Sequence, residues 1–260
     1  GILSITHAAF YGLGAYATAI LTKFYGVPFF SSMIIGVFVS IVVASLISYS
    51  LKKVKGDYYA IASIGLSVIM YSLFMNLEGI TKGPFGIFGI ARPTLFGISF
   101  SSTTSFLLFT LVIAGLSVFI IDRLARTHFG RVLHAIREDE DALTPFQYNI
   151  HKYKMTVFSI GAVFASISGS LYASYISFID PSSFTLNESI FLLTVIILGG
   201  LASTRGVIAG VVILTLLPEV LRFIGLPSEI AAQTRVILYG LALIYLMYKR
   251  PIGLFGKYSL

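Results

Sequence analysis

Long apolar runs dominate this chain and restrict what it can fold into. Segments of roughly 20 apolar residues recur along it, the length that an α-helix needs to cross a bilayer. The 260 residues are 57% hydrophobic and 11% charged, whereas a soluble domain has about 25% charged residues. The runs are continuously apolar and lack the period-two alternation of a membrane β-barrel. The sequence therefore predicts an all-α, polytopic helical membrane protein.

The apolar runs predict about eight spans, at 6–23, 29–51, 58–77, 106–122, 154–177, 189–201, 206–224 and 235–249. The segments 78–105 and 178–188 are rich in Gly, Pro and Ser and are predicted to be loops. We interpret residues 1–260 as a single transmembrane domain. Because the first residues already look like the inside of a motif, we expect one more N-terminal span upstream of Gly1.

The distribution of the 18 Lys and Arg residues predicts the orientation of the spans. If Lys52, Lys53 and Lys55 are cytoplasmic and the spans alternate, all but five of these cations lie on that side. The five exceptions are Lys23, Lys82, Arg92, Arg222 and Arg235. This asymmetry follows the positive-inside rule, so 122–154 and the C-terminus are predicted to face the cytoplasm. The rule also explains the net charge of +7 without a nucleic-acid partner.

Small residues recur every four positions in the fifth predicted span. Gly161, Ala165, Gly169 and Ala173 form one smooth face, and 206–210 has a shorter version with Gly at each end. Such a face allows a second helix to approach closely. We expect intramolecular helix packing there, with a subunit interface as the alternative.

Several kinds of site are excluded by what the sequence lacks. There is no cysteine, and the four histidines show no metal-ligand spacing, so no metal site is predicted. The G-x-x-x-x-G-K-[ST] phosphate-binding loop is absent, so the chain is not expected to bind or hydrolyse ATP by itself. Neither H-E-x-x-H nor a Ser/His/Asp arrangement is present. The chain is therefore predicted to be neither an enzyme nor a cofactor-binding protein.

The segment 122–154 is the one long polar stretch between spans. Leu133, Ile136 and Leu143 are compatible with one apolar stripe on a short amphipathic helix that Pro145 would end or kink. Such a helix can lie in a groove of a partner protein. The alternative is a solvated connector whose charges only keep it out of the bilayer.

Five segments together resemble one transporter family. The segment 130–142 (GRVLHAIREDEDA) resembles the cytoplasmic coupling loop of permease subunits from branched-chain amino acid ABC importers. Four further segments match the family's motifs in order: 1–16 (GILSITHAAFYGLGAY), 55–65 (KGDYYAIASIG), 81–93 (TKGPFGIFGIARP) and 198–210 (LGGLASTRGVIAG). The A-I-R-x-x-E pattern is similar to the second of the two permease types. Departures are Thr6 and Lys82, where the family usually has Gly, and the sequence LTPFQ after Ala142.

The resemblance implies a set of partners and a location. It implies a second permease subunit, two ATPase subunits that hydrolyse ATP, and an extracytoplasmic solute-binding protein, in the plasma membrane of a prokaryote. This chain would form the translocation path and would couple it to the ATPases.

The resemblance and the local chemistry suggest three groups of functional residues. Coupling to the ATPase is expected at Gly130, Arg131, Ala135, Arg137, Glu138, Asp139, Glu140 and Ala142. The translocation path is expected at Ser4, Thr6, His7, Tyr58, Tyr59, Ser63 and Ser67, although the two tyrosines also fit aromatic anchors at a membrane interface. Docking of the binding protein is expected at Lys82 and Arg92, which also fit plain solvated charges.

Two alternative functions stay open at this point. A permease of the same kind could transport urea, short amides or other amino acids. An ion-coupled secondary transporter is a different class, and it would place charged groups at mid-membrane beside broken helices. The deep parts of most predicted spans lack such charges, which argues against that class.

Overall fold

The protein is described here by a computed structural model that covers residues 4–52, 54, 57–95 and 98–223, with the single positions 240, 241, 244, 248 and 253. The helices are α1 (His7–Tyr25), α2 (Phe29–Ser50), α3 (Asp57–Asn76), α4 (Glu78–Thr81), α5 (Thr103–Ala125), α6 (His128–Glu138), α7 (Ile150–Ile176), α8 (Leu186–Gly199) and α9 (Thr204–Phe223). Four two-residue strands are β1 (Ile87–Phe88), β2 (Thr94–Leu95), β3 (Ile98–Ser99) and β4 (Phe178–Ile179). Short 3-10 turns lie at Gly83–Phe85, Asp141–Phe146 and Pro181–Phe184.

The predicted all-α membrane architecture is confirmed. Each predicted span up to residue 224 coincides with a helix, within a few residues at each end. Among the described residues, five segments are long and apolar enough to cross a membrane: Phe29–Ser50, Tyr58–Asn76, Thr103–Ala125, Ile150–Ile176 and Pro181–Gly199. The predicted span 235–249 and Arg235 lie outside the described residues, so the count of eight stays a prediction.

The chain forms two compact units, residues 1–189 and residues 190–260. In the first unit α7 packs along both α1 and α2. Small residues set this close approach: a Cβ added at Gly169 would lie 1.9 Å from the Tyr11 carbonyl oxygen, and one added at Gly14 would lie 2.0 Å from that of Ser166. The predicted small-residue face of α7 therefore packs within the chain at Gly169 and at the buried Ala173, whereas a Cβ at Gly161 would meet no atom within 4 Å, so that end of the predicted face is not a close contact.

An aromatic cluster closes the end of this unit near the 78–105 loop. Tyr16 stacks on Phe74 at 4.8 Å between ring centroids, and Phe184 contacts both rings. Strand β1 pairs antiparallel with β4, which joins the 78–105 loop to the 178–188 loop. Gly86 permits this pairing, because it has φ 67° and a Cβ there would lie 2.3 Å from the Ile179 carbonyl oxygen.

The second unit contains its own helix pair. Val195, Leu198 and Leu214 form a small buried core where the last turns of α8 meet α9. A Cβ at Gly206 would lie 2.1 Å from the Gly199 carbonyl oxygen, so glycine allows the two backbones to touch. The shorter small-residue face predicted at 206–210 is likewise an intramolecular contact.

Candidate functional site

Helix α6 is a short amphipathic helix between the long apolar helices α5 and α7. It begins after a sharp turn from α5, where a Cβ at Gly130 would lie 2.0 Å from the Ala125 carbonyl oxygen. Val132 and Ile136 are buried one turn apart, while Arg131 and His134 are exposed. The prediction of an amphipathic helix is confirmed, but its most buried positions are Val132 and Ile136, and Leu133 is only half-buried. The predicted stripe was wrong at Leu143, which lies after the end of α6, in the 3-10 turn Asp141–Phe146.

The end of α6 differs from the prediction. We expected Pro145 to end or kink the helix, but α6 stops at Glu138, and Pro145 lies in the separate 3-10 turn Asp141–Phe146. Asp139 is already extended, with φ −153°. A physical reason is the run of four acidic residues at 138–141, since negative charge is unfavourable at a helix C-terminus. Pro145 and Phe146 are exposed and lie outside α6.

Two contacts fix α6 and the turn after it to the start of α7. At one end, Phe129 stacks on Tyr153 with ring centroids 5.5 Å apart and planes 20° apart. At the other end, the Lys154 ammonium donates a hydrogen bond to a Glu140 carboxylate oxygen at 2.5 Å. Tyr153 and Lys154 are neighbours in α7, and Asn149 caps that helix by accepting from the Lys152 backbone N–H. A displacement of α6 would therefore be transmitted directly to α7.

A cavity of about 500 Å³ lies between α6, the first turns of α3 and the first turns of α7. Its wall combines apolar groups with both members of the Glu140–Lys154 ion pair. The lining residues are Val54, Tyr59, Ala125, Gly130, Leu133, His134, Ile136, Arg137, Glu140, Lys154 and Val157.

The predicted coupling residues divide into an inner and an outer set. Gly130 is buried, and Ala135, Arg137 and Glu140 are half-buried, with Arg137 and Glu140 in the cavity wall. Arg131, Glu138 and Asp139 are exposed. The side chain of Ala142 lies outside the described residues.

Most of the residues predicted for the translocation path converge on the start of α1. The Ile5 backbone N–H donates to the Ser63 hydroxyl at 2.9 Å, and the Ser67 hydroxyl donates to the Ile5 carbonyl at 2.5 Å. The hydroxyls of Ser4 and Thr6 are 2.8 Å apart. His7, the first residue of α1, is half-buried beside them. These hydroxyls hold the chain before α1 against α3.

The two neighbouring tyrosines of α3 face different surroundings. Tyr58 is 76% exposed, as expected of an anchor at a membrane interface. Tyr59 is buried, packs edge-on against Phe158 at 6.4 Å and lines the cavity beside α6. Tyr59 therefore belongs with the α6 region rather than with the residues at the start of α1.

The two predicted docking cations lie against aromatic rings. The Lys82 ammonium is 5.4 Å from the centre of the Phe24 ring, and the Arg92 guanidinium is 6.0 Å from that of Phe106. Arg92 also donates a hydrogen bond to the Ser101 carbonyl. Lys82 adopts φ 63°, a left-handed conformation that favours glycine, the residue that the family resemblance leads us to expect at this position.

Sequence reasoning missed the residues that depend on tertiary contacts. Phe129, Tyr153 and Lys154 fix α6, and Ser189 accepts a hydrogen bond from the Ala8 backbone N–H at 3.0 Å. Lys154 and Glu140 are 14 residues apart, so helical periodicity in the sequence does not predict their pairing. The one available signal was the opposite charge of Glu140 and Lys154 within the predicted polar segment 122–154.

Comparison with known proteins decides the family. The sequence profile of the family described as "Branched-chain amino acid transport system / permease component" matches residues 1–247. The chain belongs to this family. The match covers nearly all of the described residues, including α6, the Ile5 contacts and both glycine-mediated helix crossings.

Three curated relatives are similar over 98% of this chain. The high-affinity branched-chain amino acid transport system permease proteins LivM of Salmonella typhimurium and Escherichia coli are 34% and 33% identical over 277 residues. A probable branched-chain amino acid transport permease protein LivM of Methanocaldococcus jannaschii is 27% identical over 286 residues. The chain spans 64% of the length of the first two relatives and 80% of the third. No solved structure matches the chain.

The family and the helices together define the protein at a coarse level. It is a multi-pass membrane protein of the branched-chain amino acid transport permease component family. The long apolar helices, the paucity of charge and the amphipathic α6 all accord with this assignment.

Proposed function

We propose that this chain is a permease subunit of an ATP-driven importer for branched-chain amino acids. It pairs with a second permease subunit, two ATPase subunits dock beneath the pair, and an extracytoplasmic binding protein delivers the substrate. The chain hydrolyses no ATP itself and binds no cofactor. The membrane is the plasma membrane of a prokaryote, with α6 and the C-terminus on the cytoplasmic side.

The observation that supports this proposal is the double attachment of α6 to α7. A coupling element must be exposed enough to contact the ATPase and fixed enough to move a span. Arg131, Glu138 and Asp139 are exposed, while the Phe129–Tyr153 stack and the Glu140–Lys154 ion pair join the segment to α7. In this proposal the exposed charges dock on the ATPase, and α7 transmits the motion as a rigid body.

Helix α7 connects this motion to the proposed translocation path. It packs without a gap against α1 at Gly169, and α1 begins next to Ser4, Thr6, His7, Ser63 and Ser67. A rigid shift of α7 would move α1 relative to α3 and break or remake the hydrogen bonds of Ile5. We propose that this junction opens and closes the path, and that Tyr58 and Tyr59 border it on the α6 side.

The binding protein is proposed to dock near Lys82 and Arg92. Both cations are in loops at the end of the unit opposite to α6, and Phe85 and Phe88 are exposed beside Lys82. Aromatic residues, Phe included, and Arg are enriched at protein interfaces relative to the rest of the surface.

Affinity purification from native membranes tests the proposal. We expect a tagged chain, solubilised mildly, to co-purify with an ATPase that has a phosphate-binding loop and with a second polytopic permease. The Arg131→Ala variant should lose at least half of the ATPase. Arg126→Ala is the matched control, because Arg126 is the exposed residue that follows the end of α5 and pairs with Asp122, four residues earlier.

Two results would contradict the proposal. One is a chain that purifies alone and supports uptake driven by an ion gradient without ATP, which indicates a secondary transporter. The other is equal ATPase recovery with Arg131→Ala and with wild type, which would mean that α6 is only a solvated connector.

A further inference from the structure

The cavity beside α6 combines an aliphatic wall with charges of both signs. Leu133, Ile136 and Val157 supply aliphatic side chains, and Glu140 and Lys154 supply a carboxylate and an ammonium group. The cavity has a volume of about 500 Å³, and small-molecule sites are typically about 300–1,000 Å³. It is therefore large enough for a small molecule, and the chemistry of its wall limits which kind of molecule fits.

The two opposite charges are paired with each other but remain accessible. The Lys154 ammonium lies 2.5 Å from a Glu140 carboxylate oxygen, and these side chains are 22% and 31% exposed, respectively. Arg137, on the last turn of α6, adds a second cation to the same wall. A small ion that enters the cavity can therefore meet one anion and two cations.

Most classes of small molecule match only part of this wall. An apolar molecule would bury the ion pair without adding a partner to it, which is unfavourable. A carboxylate without an ammonium group would put its charge beside Glu140, and an amine without a carboxylate would put its charge beside Lys154 and Arg137. An aliphatic zwitterion matches every part, because its ammonium pairs with Glu140, its carboxylate pairs with Lys154, and its side chain packs against the aliphatic wall.

Insertion of a zwitterion would replace one ion pair by two. Partly exposed ion pairs contribute little to stability, so separation of Glu140 from Lys154 costs little. The aliphatic side chain of the ligand would in addition bury apolar surface against Leu133 and Val157, which the direct ion pair does not do. The exchange is therefore favourable for a zwitterion that has an aliphatic side chain.

We propose that this cavity is a regulatory site for a free aliphatic amino acid on the cytoplasmic side of the membrane. The Glu140–Lys154 pair is one of the two attachments of α6 to α7. A bound amino acid would separate this pair, weaken the link between α6 and α7 and slow transport when the cytoplasmic concentration is high. The inference rests on the proposed function, which puts α6 in the cytoplasm and makes an aliphatic amino acid the product of transport.

Calorimetry measures binding to the transporter that is purified with its ATPase and second permease but without the binding protein. Leucine is the probe. We expect 4-methylpentanoate, which lacks the ammonium group, and isoamylamine, which lacks the carboxylate, each to bind about tenfold more weakly than leucine. Glu140→Gln should remove the preference for leucine over 4-methylpentanoate, which a merely structural role of Glu140 would not do.

A pair of substitutions on α7 locates the bound leucine. Val157→Phe puts a ring into the cavity and should abolish binding, whereas Thr156→Phe, at the exposed neighbouring position outside the lining, should not. Ser67→Ala, in the proposed translocation path, should also leave binding unchanged. Loss of binding in Ser67→Ala but not in Val157→Phe would put leucine in the path and overturn the proposal. The absence of binding to the assembled wild-type transporter would overturn it as well.

Uptake into proteoliposomes tests the regulatory consequence. ATP is enclosed in the lumen with or without leucine, and the binding protein with labelled substrate is added outside. At a lumenal leucine concentration equal to the calorimetric Kd, half of the transporters are occupied, so we expect an initial uptake rate lower by about twofold. Glycine at the same concentration, which lacks an aliphatic side chain, should have no effect. Uptake that requires ATP but ignores lumenal leucine would overturn this inference alone, whereas uptake without ATP would overturn the proposed function too.

Discussion

The closest backbone contact between two long helices gives the sharpest prediction. A methyl group added at Gly169 would lie 1.9 Å from the Tyr11 carbonyl oxygen, whereas ordinary C···O contacts are about 3.3–3.6 Å. In Gly169→Ala, α1 and α7 must therefore separate by roughly 1.5 Å at this crossing. Overpacking of a well-packed interior costs about 1–3 kcal/mol, partly offset by the better helix propensity of Ala, about 1 kcal/mol.

The matched control is Gly161→Ala on the same helix. A Cβ at Gly161 meets no atom within 4 Å, so this substitution should be neutral or stabilising by up to about 1 kcal/mol. Unfolding of the purified protein in mixed micelles, followed by circular dichroism against the fraction of denaturing detergent, compares the two variants. We expect Gly169→Ala to unfold at a lower detergent fraction than Gly161→Ala. Equal midpoints would refute the close approach of α1 and α7.

Three further predictions test the other contacts. Glu140→Gln and Lys154→Gln should each lower the free energy of unfolding by less than about 1 kcal/mol because the pair is partly exposed, and a double-mutant cycle should show coupling that weakens in high salt. Additive effects would contradict the ion pair. Gly130→Ala should reduce recovery of folded protein, because its methyl group would lie 2.0 Å from a carbonyl oxygen of α5; wild-type yield and melting temperature would contradict this. Ser67→Ala should lower the free energy of unfolding by about 1–3 kcal/mol, because it leaves the buried Ile5 carbonyl unpaired. Substitution of the exposed Tyr58 by Ala should change it by no more than about 0.5 kcal/mol. The reverse order in detergent unfolding would contradict the Ile5 contacts.

The apolar runs were sufficient to predict the long helices. In a bilayer every backbone polar group must be paired within the segment, so a run of about 20 apolar residues is expected to form an α-helix. The small-residue period was also sufficient for the α7 face, because helix geometry puts residues four apart on one side. Gly169 confirms that prediction at one end of the face, and the Gly206 contact confirms the shorter one. Gly161 makes no close contact, because residues four apart drift by about 40° per step around a helix with 3.6 residues per turn.

The site depended on contacts that a linear sequence does not display. The end of α6 was misplaced, because Pro145 was given more weight than the acidic residues that precede it. The attachment through Phe129 and Tyr153 joins residues 24 positions apart, across two turns that follow no regular period. Ser63 and Ser67 were predicted from polarity, but their pairing with the Ile5 backbone requires knowledge of where the chain before α1 lies.

The role of α6 as the link between ATP hydrolysis and transport is the central claim. The assembled transporter is reconstituted in proteoliposomes with its binding protein, and ATP hydrolysis and leucine uptake are measured together for wild type and Phe129→Ala. We expect wild-type uptake to require ATP. We expect Phe129→Ala to keep most of the hydrolysis but to lose about 90% of the uptake, because α6 loses its stacked contact with Tyr153. Uptake that persists without ATP, or that falls only in proportion to hydrolysis in the variant, would contradict the claim.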